Sequence, residues 1–202
     1  MKIYPLNIHE HDITCVAILI YETDRGLFEL LFGKQKDKAL RQIKSLIIQE
    51  ENSFNYHNIT IAMANTEIQG ILVSYAGEQV DTKKESNEVW NTLGMTSALR
   101  LAIIDKIFLQ PLLTTKLSAQ DFYISNLCVH EAARGKGVGT ALIHHAKKIA
   151  QKKGCSLVHL DVSDENKNAI RLYRTLGFTI DATRSMRFFK KVFTIHSMKL
   201  NI

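Results

Sequence analysis

Proline is scarce in this 202-residue chain, with two; glycine numbers only ten, tryptophan one, and the three cysteines are scattered. Cys15, Cys128 and Cys155 are odd in number, far apart and without a C-x-x-C pair. A disulfide framework and a zinc knuckle are therefore both excluded, and no metal site is expected. A chain of this length can bury a sizeable core without such staples. The thiols read as reduced and buried, which suits a cytoplasmic protein. Long hydrophobic runs are missing too: near the N-terminus the longest, Val16 to Tyr21, falls far short of a bilayer span. His9, Glu10, His11 and Asp12 before it form no basic leader, so neither signal peptide nor membrane segment is expected. Internal repeats and low-complexity tracts are absent, which excludes solenoids, propellers and disordered tails. What remains is compact, and either enzymatic or ligand-binding.

Acidic charge runs short in only one part of the chain. Residues 1 to 133 carry 12 basic and 16 acidic side chains, a balance of −4, whereas residues 134 to 202 carry 14 and 4, a balance of +10. The net +6 therefore belongs to the C-terminal third. Such a field favours a polyanion, either nucleic acid or a phosphorylated cofactor. Lys147, Lys148, Lys152 and Lys153 could equally do no more than solvate an outer helix face.

Asp12 is placed to cap a helix through Ala17 and Leu19 towards Glu22. Arg25 to Phe32 reads as a short helical turn, and Ala39 to Glu51 as a helix with Leu40, Ile43, Leu46 and Ile47 on one face. Residues 59–64 and 68–75 are β-rich runs joined at Asn65, Thr66 and Glu67, a hairpin signal. Residues 76–88 are loop-like, and 90–113 form an apolar helix with Leu99, Ala102, Ile103 and Ile107, stopped by Pro111. Residues 76–118 together read as a variable, partly helical insertion, serving as core, as a wall of an acceptor site or as a homodimer contact.

From Phe122 the alternation becomes regular. It gives a strand at 122–129, a helix at 138–153 closed by Gly154, and a strand at 156–162. A helix capped by Ser163 or Asp164 and ended by Gly177 comes next, then strands at 178–180 and 188–200. This order predicts an α/β architecture, a mixed sheet with helices on both faces, in one domain spanning residues 1–202.

The informative segment is Arg134-Gly-Lys-Gly-Val-Gly-Thr140, between a strand and a helix. Its glycines let the backbone turn sharply and let a ligand approach, while the first helical amides have no internal partners. Helix dipole, Arg134 and Lys136 add positive charge, so a pyrophosphate is the natural occupant. A P-loop is disfavoured because Lys136 precedes the last two glycines. A dinucleotide fingerprint fares little better. It would put Thr140 where a third glycine belongs, although Asp161 mimics its ribose-binding acid.

Residues 127–142, Leu-Cys-Val-His-Glu-Ala-Ala-Arg-Gly-Lys-Gly-Val-Gly-Thr-Ala-Leu, resemble the acyl-CoA-binding motif of the GNAT family of N-acetyltransferases, with Arg134, Gly137 and Gly139 at its defining positions. Residues 165–178, with Asn166, Ala169-Ile170, Leu172-Tyr173 and Gly177-Phe178, resemble the helix that follows in that family. The resemblance implies acetyl-CoA as co-substrate and an acyl-CoA N-acyltransferase fold. Amides of Gly135, Lys136, Gly137, Val138, Gly139 and Thr140, with Arg134, would hold the pyrophosphate. Pantetheine would lie beside Cys128 and Val129. Asn166 would bind the cofactor and Tyr173 would protonate its thiolate. The acceptor is an unidentified amine; neither nucleic acid nor membrane is an expected partner. A non-catalytic acyl-CoA sensor of the same fold is the other reading.

Direct transfer from a thioester needs an oxyanion donor, for which a backbone N–H near Val129 suffices. It also needs an acid, and a tyrosine with a reference pKa of about 10 stays protonated at neutral pH. Tyr173 could instead only pack beside Leu172 and Leu176, and Asn166 only start a helix. The middle of the strand, Tyr123-Ile-Ser-Asn-Leu, holds no carboxylate for a base, and Asp121, His130 and Glu131 read as structural or surface groups. Cys128 reads as a buried strand residue and not as a nucleophile.

Overall fold

The computed structural model describes residues 1–32, 35–50, 52–77, 117–188 and 191–202, together with Leu99. The first part runs β1 (Lys2–Pro5), α1 (Ile13–Thr23), α2 (Arg25–Phe32), α3 (Lys36–Ile48), β2 (Ile59–Ala64) and β3 (Glu67–Ala76). The second runs β4 (Asp121–Val129), α4 (Val138–Lys152), β5 (Leu157–Ser163), α5 (Lys167–Thr175), β6 (Thr179–Phe188) and β7 (Lys191–Asn201). Strands lie in the order β1-β2-β3-β4-β5-β7-β6. All neighbours are antiparallel except β4 and β5, so the sheet is mixed.

Local chemistry sets the helix ends. Asp12 accepts from the Thr14 amide at 2.8 Å and caps α1. Asp24 stands where α1 stops and accepts from the Leu27 amide at 3.0 Å, which starts α2 as a separate helix. Helix α3 starts and ends three residues earlier than the pattern suggests. Its last carbonyls are taken by side chains, Asn52 Nδ2 on Leu46 O at 3.0 Å and Asn55 Nδ2 on Gln49 O, so Gln49 turns extended.

Two expectations need correction. Neither Ser163 nor Asp164 caps α5. Ser163 still pairs with Ile195 at the end of β5, and Asp164 gives its carboxylate to Lys167 at 2.7 Å and to His196 at 3.0 Å. Asn166 caps instead, its Oδ1 accepting from the Ala169 amide at 3.2 Å. The expected strands at 178–180 and 188–200 are in fact β6 and β7, paired from Thr179↔Lys199 to Phe188↔Lys191. As an edge strand β6 leaves most of its side chains half-buried or exposed, so its polar composition hides the period of two. Strand β1 also escaped the sequence reading, being four residues on the opposite edge. Of the loop expected at 76–88, Ala76 instead ends β3 and 78–88 lie outside the described residues, as does the helix expected at 90–113 apart from an exposed Leu99.

Each face of the sheet has its own core. On one, Val16, Ile20, Ile43 and Ile47 of α1 and α3 pack on Ile59, Ile61, Ile71 and Val73. On the other, Leu142, Ile143 and Ala146 of α4 and Ile170 of α5 pack on Leu72, Phe122, Val158, Leu160 and Met198. Fully burying one such Leu or Ile stabilises the fold by about 1.5–3 kcal/mol, so each helix layer is held chiefly by its apolar stripe.

Candidate functional site

The site is built on an irregularity in β4. Against β3, Val73 pairs with Asn126 while Ser74 pairs with Ile124, so Ser125 is an extra residue, a β-bulge. The bulge inverts which side chains face which layer. Before it, Phe122 and Ile124 face α4; after it, Leu127 and Val129 do, while Cys128 turns to the α1 layer. Pairing with β5 stops at the same place. Ile124↔Leu160 is the last pair, although β4 continues to Val129 and β5 to Ser163. Beyond it the two parallel strands part, and the β5-facing edge of β4 from Ser125 to Val129 lacks a ladder partner among the described residues. A cleft with polar backbone walls results.

The glycine loop closes one end of this cleft. Gly135 and Gly137 have φ of 74° and 79°, the left-handed region that favours glycine, and a Cβ at either would meet nothing within 4 Å. The turn is therefore open on the side a ligand would occupy. Gly139 is needed for a different reason: its Cβ would come within 3.1 Å of Leu172 and 3.7 Å of Val129. It lets α4, α5 and the end of β4 converge. The first amide returned into α4 is that of Ala141, on Gly137 O at 3.0 Å, so those of Val138, Gly139 and Thr140 precede the helix's own bonding. Arg134 donates from Nε to Val129 O at 3.2 Å, tying the loop to the strand end, and both Arg134 and Lys136 are exposed.

Tyr173 of α5 lies in the same layer, 7% exposed, with its ring 5.7 Å from that of Phe178. Its hydroxyl makes no hydrogen bond among the described residues, and burial pushes its pKa up to about 12. Asn166 spends its Oδ1 on the α5 cap, which leaves Nδ2 as the group able to reach a ligand. The Cys128 thiol is pushed up to about 11, by burial first, with Glu22 adding and Arg134 opposing. It is a protonated, weakly nucleophilic thiol at neutral pH, which fits a buried strand residue.

The structure thus brings together Val129, the loop 134–140 and Leu172, with Tyr173 in the same buried layer, and it leaves other candidates apart. Asp121 sits at the far end of β4, where it accepts from the Ser118 amide at 2.7 Å with His159 at 3.4 Å. His130 and Glu131 are exposed beyond the other end. Among the described residues no three His, Cys, Asp or Glu side chains group as metal ligands, and no helix is long and apolar enough to cross a membrane.

Sequence reasoning missed the polar groups on the α1 side of the cleft. Asn126 Nδ2 donates to Thr23 Oγ1 at 2.7 Å, joining β4 to the end of α1 across 103 residues. Tyr123 donates to Asp161 at 2.8 Å, and the Ser197 hydroxyl donates to the other oxygen of Asp161. Burial, aided by Asp161 and Tyr75, holds the Tyr123 hydroxyl well above its ordinary pKa. The signal that could have found them is a row of polar side chains on strands whose opposite faces are wholly apolar.

Known proteins agree with this geometry. Residues 94–178 match the family model "Acetyltransferase (GNAT) family". A thialysine N-epsilon-acetyltransferase of Sus scrofa is 38% identical over 60 residues, 30% of this chain and 35% of that protein. An uncharacterized N-acetyltransferase of Methanocaldococcus jannaschii is 47% identical over 55 residues, 27% of this chain and 24% of that protein. The chain thus spans about a third or less of the length of these curated relatives. The crystal structure of an N-acetyltransferase from Staphylococcus aureus Mu50 superposes with a TM-score of 0.70 at 20% identity, covering 99% of this chain and 100% of that one. With the glycine loop and the parted strands in place, the chain has the fold of that N-acetyltransferase structure, and its residues 94–178 match the acetyltransferase (GNAT) family model.

Proposed function

We propose that the protein is an acetyl-CoA-dependent N-acetyltransferase that passes the acetyl group directly to an amine. The observation that carries this is the cleft where β4 and β5 part after Ile124 and Leu160, ended by the open loop Gly135–Thr140. The relatives named for N-acetyl transfer support it. The residues present fit the cofactor. Left-handed glycines leave room where a Cβ would intrude, unbonded amides and two exposed cations suit a pyrophosphate, and a tyrosine hydroxyl with no hydrogen bond among the described residues suits a thiolate.

Acetyl-CoA supplies the thioester carbonyl and a thiolate leaving group. Amides of Gly135, Lys136, Gly137, Val138, Gly139 and Thr140, with the Arg134 and Lys136 side chains, hold the diphosphate. The backbone of Cys128 and Val129 lines the pantetheine arm and donates an N–H to the developing oxyanion. The Cys128 side chain takes no part, since it faces the α1 layer. Asn166 Nδ2 bonds the arm from the α5 side. Tyr173 is the proton donor for the sulfur; its raised pKa keeps the hydroxyl protonated at neutral pH. The neutral amine forms the new C–N bond, the C–S bond breaks, and the amine's surplus proton leaves to solvent, from which Tyr173 regains the one it gave. Three free, dispersed thiols support a cytoplasmic location.

Thermal unfolding tests the reading. Acetyl-CoA at a hundred times its dissociation constant is expected to stabilise the fold by about 2.7 kcal/mol, while NAD and ATP leave the midpoint unmoved. Combining Gly137→Val with Arg134→Glu is expected to abolish the shift. Stabilisation by NAD or ATP alone would end the proposal.

A further inference from the structure

The α1 side of the cleft carries a carboxylate, Asp161, that no cation pairs with among the described residues. Several other carboxylates of the described residues have cationic partners: Glu22 has Lys36 at 3.2 Å, Glu29 has Arg25 at 2.7 Å, Asp164 has Lys167 and His196, and Asp181 has Lys199. Asp161 has only two neutral hydroxyls, Tyr123 on one oxygen and Ser197 on the other. No Lys, Arg or His pairs with it among the described residues. Ser197 is 7% exposed and Asp161 half-buried, so the carboxylate is held in one orientation by a partly dry surround.

Its position matters as much as its charge. Asp161 is the first residue of β5 beyond the last pair with β4, where the cleft opens. Leu160 and Val162 face α4 and α5, so the Asp161 side chain lies on the opposite face of the sheet. The Tyr75 and Tyr123 rings, 5.7 Å apart, stand beside it on that face. A fixed carboxylate beside aromatic rings is the chemistry that recognises an organic ammonium. The glycine loop offers positive charge to a polyanion at one end of the cleft, and Asp161 offers negative charge to a cation on the other face.

We propose that Asp161 anchors an ammonium group of the acceptor, and that this acceptor carries a second amine, which is the one acetylated. The second amine follows from the chemistry. A carboxylate stabilises the charged form of whatever amine it binds, whereas attack on the thioester needs a neutral amine. The anchored ammonium and the reacting nitrogen are therefore different atoms. Tyr123 and Ser197 are positioning residues, acting through the carboxylate they hold.

This inference rests on the acetyltransferase reading, and the test separates the two. Wild-type protein, shown first to be stabilised by acetyl-CoA, is assayed for CoA release with 1,5-diaminopentane and with 1-aminopentane. The diamine is expected to show a kcat/KM at least about tenfold higher, the size of one ion pair worth about 1.4 kcal/mol. Asp161→Asn is expected to collapse that ratio towards one through the diamine KM, while the acetyl-CoA melting shift persists. Should Asp161→Asn not fold, Ser197→Ala must raise the diamine KM, because the carboxylate is then held by Tyr123 alone. Equal use of the two amines, no turnover of either by protein that binds acetyl-CoA, or an unchanged ratio in a folded variant would each overturn the proposal. Absence of the acetyl-CoA shift would instead sink the acetyltransferase reading.

Discussion

The two faces of the sheet around β4 differ in how they are made. The α4–α5 face is contiguous in sequence: loop, helix, strand and helix follow one another within residues 130–178, and each glycine answers a local demand of backbone or packing. The α1 face is assembled from distance: Thr23 meets Asn126, and Tyr123 and Ser197 meet Asp161, only because the strands align them. One face can keep a fixed cofactor chemistry through short-range pattern, while the other can change its polar groups one at a time without disturbing a helix or a turn. The bulge at Ser125 separates them, since it turns successive side chains of one strand to opposite layers.

The comparison breaks most visibly at Tyr173. If the α4–α5 face carries the chemistry, Tyr173→Phe keeps the ring against Phe178 and loses the proton donor. Turnover is expected to fall by about 10²- to 10⁴-fold in single-turnover assays while acetyl-CoA affinity holds. A rate within threefold of wild type would move the acid elsewhere. Next in size is Gly139→Val, which pushes a side chain into the 3.1 Å gap to Leu172. Urea unfolding is expected to show a loss of about 1–3 kcal/mol, with weaker acetyl-CoA binding because α5 is displaced. The same substitution at Lys136, exposed in the loop, is the control that leaves stability unchanged.

Alkaline pH probes the burial of both faces together. Cys128, on the α1 side, is held at about 11 against an ordinary 9.0, and Tyr173 at about 12 against 10.0. Both pKa values are raised, so the unfolded chain releases these protons first. Stability is full below the ordinary values and is lost as pH rises, through about 9 to 11 for Cys128 and about 10 to 12 for Tyr173. Cys128→Ala is expected to flatten the earlier part of that decline in urea midpoints, and Tyr173→Phe the later part. A decline untouched by either variant would show that these groups are more hydrated than their burial indicates.

Legibility followed the same division. Asp12, the hairpin at Asn65 and the run from Phe122 to Gly177 could be read because caps, left-handed turns and periodicity are short-range signals. Asn166 and Tyr173 were legible as positions within a motif, but the capping bond of Asn166 was not, because Ser163 and Asp164 are equally good cap residues by type. What excludes them is pairing with β7, a strand thirty residues away. Edge strands β1 and β6 were invisible for the reason that makes them edges: only one neighbour shapes their composition. Asp161 stood out only as a mimic of a ribose-binding acid, since the chain offers no local clue that Tyr123 and Ser197 converge on it.

The smallest effect separates two jobs at one side chain. Asn166 caps α5 through Oδ1, and the proposed cofactor contact uses Nδ2. Asn166→Asp keeps an acceptor for the Ala169 amide and removes the donor; Asn166→Ala removes both. If both jobs are real, the Ala variant loses about 1 kcal/mol of stability in urea unfolding, as a lost cap does, and the Asp variant loses none. Acetyl-CoA should bind more weakly to each, by the roughly 0.5–1.5 kcal/mol of one hydrogen bond, with the Asp variant weaker still because its charge repels the diphosphate. Calorimetric titration beside the unfolding curves reads both quantities. Affinity unchanged in the Asp variant would leave Asn166 a helix cap alone, and the α4–α5 face would then hold the cofactor by backbone amides, the Arg134 and Lys136 charges and Tyr173.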